Sequence, residues 1–281
     1  MFEPLTEPFM QRAIAEMTML ALAGGVLGCW VVLYEFSYAA ESLAHSLFPG
    51  LVIAAIAGIP LLLGATPAIV LAALAIALAS RLPGVGRDVG VAVVVTTMFG
   101  LGVLLALSPD SPPGIEALLF GDILGPSDGD LLAAAALLVL LVVALPPLHA
   151  TLLACGFDRG AARGLGLSPA LADAALLVLL AAAIVVVVQG LGNLLVVAVF
   201  VGPAAAARNL SDRLVPMMSL AAGLAVLAGL AGLYLSYYAG TAGGASVALA
   251  IVALYLLSIP AGRLRSVRVR KPLRAAATIV G

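Results

Sequence analysis

The stretch Ser37-Tyr38-Ala39-Ala40-Glu41-Ser42-Leu43-Ala44-His45-Ser46-Leu47-Phe48-Pro49-Gly50 sets a carboxylate and an imidazole at the head of an apolar run that continues to Leu63. On an α-helix, positions four apart differ by about 40° around the axis and about 6 Å along it, so Glu41 and His45 share a face and can bind one cation together. An ionisable group near the middle of a membrane helix costs on the order of 2.5–3.5 kcal/mol. Such groups therefore turn to a cavity or a partner, unless they satisfy each other or sit at the membrane surface. Phe48-Pro49-Gly50 then interrupts the run, because proline has no N–H to give the helix ladder. A broken helix beside buried ligands is the expected local structure, as in many membrane transport proteins.

Outward from this stretch, 64% hydrophobic residues, 10% charged residues and a mean hydropathy of +1.23 exclude a soluble surface. The composition predicts an all-α polytopic membrane protein. Apolar runs long enough for the hydrocarbon core lie near 13–34, 43–63, 66–80, 89–107, 130–148, 170–189, 193–207, 214–236 and 245–260, nine crossings with eight as the alternative. The third and seventh are short enough to be broken, tilted or partly buried. No soluble domain and no repeat stands out, so residues 1–281 read as one membrane domain, mature from its start. With nine crossings, twelve of the 13 basic residues fall on one side: Arg81, Arg87, Arg159, Arg163, Arg208, Arg213 and the tail Arg263, Arg265, Arg268, Arg270, Lys271 and Arg274. The positive-inside rule makes that side the cytoplasm. Residues 1–12 are then external and residues 261–281 form a basic cytoplasmic tail, while Asp110, Glu116, Asp122, Asp128 and Asp130 face outward.

Absent motifs narrow the chemistry. The only lysine is Lys271, followed by Pro272, so no phosphate-binding loop ending in Lys-Ser or Lys-Thr exists and the chain does not hydrolyse ATP by itself. Glu-x-x-x-His is not the His-Glu-x-x-His of zinc peptidases, and no Gly-x-Ser-x-Gly elbow occurs, so no catalytic residue is expected. Cys29 and Cys155 lack metal-site spacing and read as small apolar residues. Nothing points to nucleic acid. Active transport would draw its energy from a separate ATPase or an ion gradient.

Ser37-Tyr38, Glu41, Leu43-Ala44-His45 and Pro49-Gly50, in that order, resemble the signature of the ATP-binding-cassette permeases for zinc and manganese uptake, the ABC-3 type. The resemblance continues through Leu119-Phe120-Gly121-Asp122-Ile123-Leu124, through Asp158, Ala162 and Gly166, through Gln189, Gly192, Pro203, Ala204, Ala205, Ala207 and Arg208, and through Leu235-Ser236-Tyr237-Tyr238. It implies a multi-pass permease of a bacterial cell membrane, surrounded by lipid, that moves a divalent metal inward, zinc first and manganese next. Glu41 and His45 are the implied metal ligands. The implied partners are a second copy of the chain, separate cytoplasmic ATPases that use the ATP, and an extracytoplasmic metal-binding protein. Asp158, Ala162 and Gly166 mark a segment expected to couple to the ATPase, since small residues at four-residue spacing suit a short docking helix.

The chain departs from that family at three places. Glu41 stands for the usual Asp, Tyr34 and Glu35 stand where an Arg pair is usual, and Gly240-Thr241-Ala242-Gly243-Gly244-Ala245 replaces an Asp-x-Pro-Thr-Gly-Pro turn. No metal contact is expected from that last turn. An ion-coupled secondary carrier using the same pair, and a membrane scaffold without a path, remain the competing classes.

Overall fold

The computed structural model describes residues 6–79, 87–112, 115, 119, 121, 123–193 and 195–277, with the side chains of 77, 79, 87, 88 and 265–277 outside the description. Arg81, Glu116, Phe120 and Asp122 lie outside the described residues, as do the side chains of Arg87 and of the tail beyond Leu264. Backbone polar groups find no water in a bilayer, so the chain closes its hydrogen bonds within helices. In order these are α1 (Pro8–Leu33), α2 (Ser37–Ser46), α3 (Phe48–Ala57), α4 (Leu61–Ala79), α5 (Arg87–Ala106), α6 (Asp128–Phe157), α7 (Arg159–Gly164), α8 (Pro169–Leu191), α9 (Val196–Leu210), α10 (Leu214–Ala239) and α11 (Gly243–Ala277).

Among the described residues, seven apolar segments are long enough to cross a membrane: α1, α2 with α3 (Ser37–Ala57), Val89–Ala106, α6, α8, α10 and Gly243–Leu264. Two further apolar helices, Leu61–Ile76 and Val196–Leu210, are shorter. They fall on the third and seventh runs of the sequence, the two too short for an upright crossing.

Helix α1 is the hub, packed by α10, α9, α6, α8 and α2. Apolar burial does not drive helices together in lipid, so close backbone approach carries the packing. A Cβ on Gly28 would lie 1.9 Å from the carbonyl oxygen of Phe200, and one on Gly25 would lie 2.7 Å from the backbone of Ala222. The same device joins α3 to α4, where a Cβ on Gly50 would lie 2.2 Å from the Gly64 carbonyl. Trp30, Phe48 and Phe200 fill the largest buried volumes between these seams.

Side-chain bonds fix which ends of the helices lie together. At one end Arg12 pairs with Asp128 and donates from Nε to the carbonyl of Pro126 at 3.2 Å. Asp128 opens α6 just after Ser127, which forms a capping box with Asp130. At the other end the Tyr34 hydroxyl donates to the carbonyl of Leu152 at 2.8 Å, so α1 and α6 run parallel. That second end also holds α7, and a cleft there is bordered by Leu33, Phe157 and Arg208. Arg159 and Arg208 therefore gather opposite Arg12, as the charge pattern requires.

Candidate functional site

The expected break falls at Leu47, between α2 and α3. Pro49 offers no N–H to the carbonyl of His45 four residues back, and the Leu47 N–H reaches that carbonyl instead. The chain resumes as α3 through Gly50 N–H to Leu47 O at 3.0 Å and Leu51 N–H to the same oxygen at 3.1 Å. Gly58, at φ 64°, closes α3 in the left-handed conformation that glycine adopts without a Cβ clash.

Glu41 and His45 lie one turn apart on α2. Glu41 is exposed, whereas His45 is half-buried with its ring edge-on to Phe99 of α5, centroids 5.1 Å apart. The Nδ1 of His45 is buried and has no hydrogen-bond partner among the described residues. An imidazole nitrogen held away from water without a partner is costly, and it is the chemistry a metal ligand requires. No group of three or more His, Cys, Asp or Glu side chains able to hold a metal occurs among the described residues. The pair thus offers two donors, fewer than a closed site needs.

The late turn holds no metal donor either. Ser236 Oγ donates to the Thr241 carbonyl, Thr241 Oγ1 pairs with Ser246 Oγ at 2.7 Å, and Ser246 Oγ donates to the Ala242 carbonyl at 3.0 Å, so its polar groups are spent on one another.

Asp158 caps the short helix α7, accepting from the N–H groups of Gly160 at 2.8 Å and Ala161 at 2.9 Å. Gly166 leaves the segment at φ 78°. Ala162, however, is 1% exposed and packs into the chain's own core. Ala162 therefore seats the segment, while Asp158 and Gly166 shape its two ends and remain exposed together with Arg159, Gly160, Ala161, Arg163, Gly164 and Leu165. Leu165 is 76% exposed and Phe157, at the foot of α6, 72%. These two apolar side chains were not singled out from the sequence, where they look like any other residue of an apolar chain.

Arg159 forks onto Asp173 of α8 with both terminal nitrogens, at 2.9 and 3.0 Å. This two-pronged bond holds the guanidinium pKa above its ordinary value, so the arginine stays charged. Two clefts adjoin it. One of 200 Å³ is lined by Leu33, Tyr34, Glu35, Gly156 and Arg159, and one of 460 Å³ reaches on to Tyr38 of α2 and Asp173.

A bundle of apolar helices with one crossing broken by Pro49 and a capped segment at one end has the architecture of a membrane permease. The chain belongs to the ABC 3 transport family, which it matches over residues 6–261. It is 28% identical over 265 residues to a probable iron transport system membrane protein of Haemophilus influenzae, covering 94% of this chain and 98% of that one. It is 31% identical over 258 residues to the manganese transport system membrane protein MntC of Halalkalibacterium halodurans, covering 90% and 87%. Its fold superposes on the structure of PsaBC from Streptococcus pneumoniae in complex with Fab with a TM-score of 0.84 at 25% identity, covering 90% of this chain and 92% of that one. The chain is a multi-pass protein of the cell membrane.

Proposed function

We propose that the chain is the permease of an ATP-binding-cassette importer that passes a divalent first-row metal ion into the cytoplasm, with Glu41 and His45 as ligands along the path. The observation that carries this reading is the His45 ring, its Nδ1 buried and unpartnered beside a carboxylate one turn away, on a helix broken by Pro49. Two donors from one copy make an incomplete site. Glu41 is exposed, so a second copy of the chain facing it would supply a matching pair, and water or carbonyls the rest. Such a site releases its ion more readily than a closed cage.

Carboxylate suits manganese, and imidazole suits iron and zinc. The names of the relatives, which are manganese and iron transport proteins, support manganese or iron beside the zinc that the sequence pattern put first. The ATPases dock at the end that carries α7, with Leu165 and Phe157 as the apolar anchors, and the metal-binding protein meets the end that carries Asp128. The tail lies inside. An ion-coupled carrier and a scaffold without a path both have the family match weighing against them.

The test is uptake of radiolabelled manganese, iron and zinc in cells lacking other importers, with membrane abundance measured for each variant. Glu41→Gln and His45→Ala should each cut uptake at least tenfold. The double variant should be little worse, because both changes disable one site. Normal uptake by both single variants at normal abundance refutes the site.

A further inference from the structure

Glu35 is the one non-glycine among the described residues with a positive φ, 58°. It holds the left-handed position of a helix-ending motif on α1: the Phe36 N–H donates to Val31 O at 2.8 Å and the Glu35 N–H to Val32 O at 3.4 Å. That position is ordinarily glycine, since a Cβ there crowds the carbonyl that follows. Keeping a glutamate at such a place needs a use for its charge. Its carboxylate is exposed and makes no hydrogen bond or ion pair with the described residues.

Glu35 and Arg159 border both of the clefts described above, and Asp173 borders the larger one. Glu35 and Arg159 both line one 200 Å³ cleft, Glu35 from the end of α1 and Arg159 from α7, and the arginine stem is flexible. Three elements meet here. Arg159 belongs to the docking segment, Asp173 to α8, and Glu35 lies two residues before α2, whose following turns carry Glu41 and His45.

We propose that Arg159 is a two-position switch, forked onto Asp173 in the state seen here and transferred to Glu35 when the ATPase moves α7, so that it pulls on the foot of the metal-ligand helix. The proposal rests on the permease reading, but not on which metal is carried. Glu35 and Asp173 are two acceptors bordering the one cleft that Arg159 also borders, so an arginine released from one carboxylate has the other beside the same cleft. The strained turn gives α2 a pivot, and the 460 Å³ cleft between Phe36, Tyr38, Val91 and Leu177 gives it room.

The test uses the complete permease and ATPase complex in proteoliposomes, reading ATPase co-purification, ATP turnover and manganese moved per ATP. Glu35→Gln and Asp173→Asn should each leave the ATPase bound and lower metal moved per ATP at least fivefold. The charge-reversed pair Arg159→Glu with Asp173→Arg rebuilds the bond seen here but not its alternative, and it should stay uncoupled. Adding Glu35→Arg to that pair gives the carboxylate now at position 159 a donor at both places again and should restore coupling to within twofold. Full recovery in the two-residue reversal, or normal coupling in Glu35→Gln, overturns the switch and leaves a fixed strut. Loss of ATPase binding in Glu35→Gln also overturns it, because Glu35 would then belong to the docking surface. Should single variants fold poorly, the comparison of two-residue and three-residue reversals decides. Leu165→Asp is the separate control on docking: retained ATPase with that variant defeats the docking surface proposed above, not the switch.

Discussion

The edge-on contact between His45 and Phe99 fixes the ring that carries the buried Nδ1. An aromatic pair of this kind contributes about 0.5–1.5 kcal/mol, so Phe99→Leu should raise the half-saturating metal concentration roughly twofold to tenfold with little loss of maximal rate. Metal uptake titrations on equal amounts of membrane protein check this. A metal takes neutral imidazole and ionised carboxylate, so binding expels protons and uptake should fall as the medium is acidified. The His45→Ala variant should lose the imidazole part of that dependence. Glu41 and His45 were legible in the sequence because residue type alone marks them in an apolar run. Arg159 with Asp173 was not, since 14 residues separate a pair that only the fold brings together. Glu35 was noticed as a departure from a pattern, but nothing in the letter reveals a left-handed backbone. The inward turn of Ala162 was equally hidden, because a helix of six residues is too short to display a face.

At the scale of helices, one substitution gives opposite results at two glycines. Gly28→Ala drives a methyl into the backbone of α9 and should destabilise by about 1–3 kcal/mol, the usual cost of overpacking. Gly223 of α10 is exposed with nothing within 4 Å of its would-be Cβ, so Gly223→Ala should stabilise by about 0.5–1 kcal/mol through backbone entropy. Thermal unfolding in detergent should therefore move down for the first and slightly up for the second; two shifts of the same sign would mean that close approach does not hold α1 to α9. The apolar runs located every crossing element because length and hydropathy are local properties. Partners are not local: the small residues announced close packing, while α1 as the hub emerges only from which glycine meets which carbonyl. The break at Leu47 was legible because proline acts on its own helix.

For the molecule as a whole, the grouping of Arg159 and Arg208 at one end and Arg12 with Asp128 at the other leads to a topology test. Gly129→Cys and Leu165→Cys should react with an impermeant reagent from opposite faces of the membrane, Gly129→Cys from outside. The native Cys29 and Cys155 are both 0% exposed and give little background. Reaction of both engineered cysteines from one side would defeat the orientation. The crossing from Ser37 to Ala57 has the two proposed ligands near the Ser37 end, Glu41 about 6 Å and His45 about 12 Å along a segment about 30 Å long. An ion entering from the opposite face has therefore traversed more than half of the electric field before it meets them. A divalent cation gains about 4–5 kcal/mol per 100 mV over the full drop into a negative interior, so voltage would contribute roughly 3 kcal/mol per 100 mV to filling the proposed site. Clamping proteoliposomes at rising inside-negative potential should tighten the apparent affinity for external manganese, which would leave to an ATPase partner chiefly the work of opening the door and letting go.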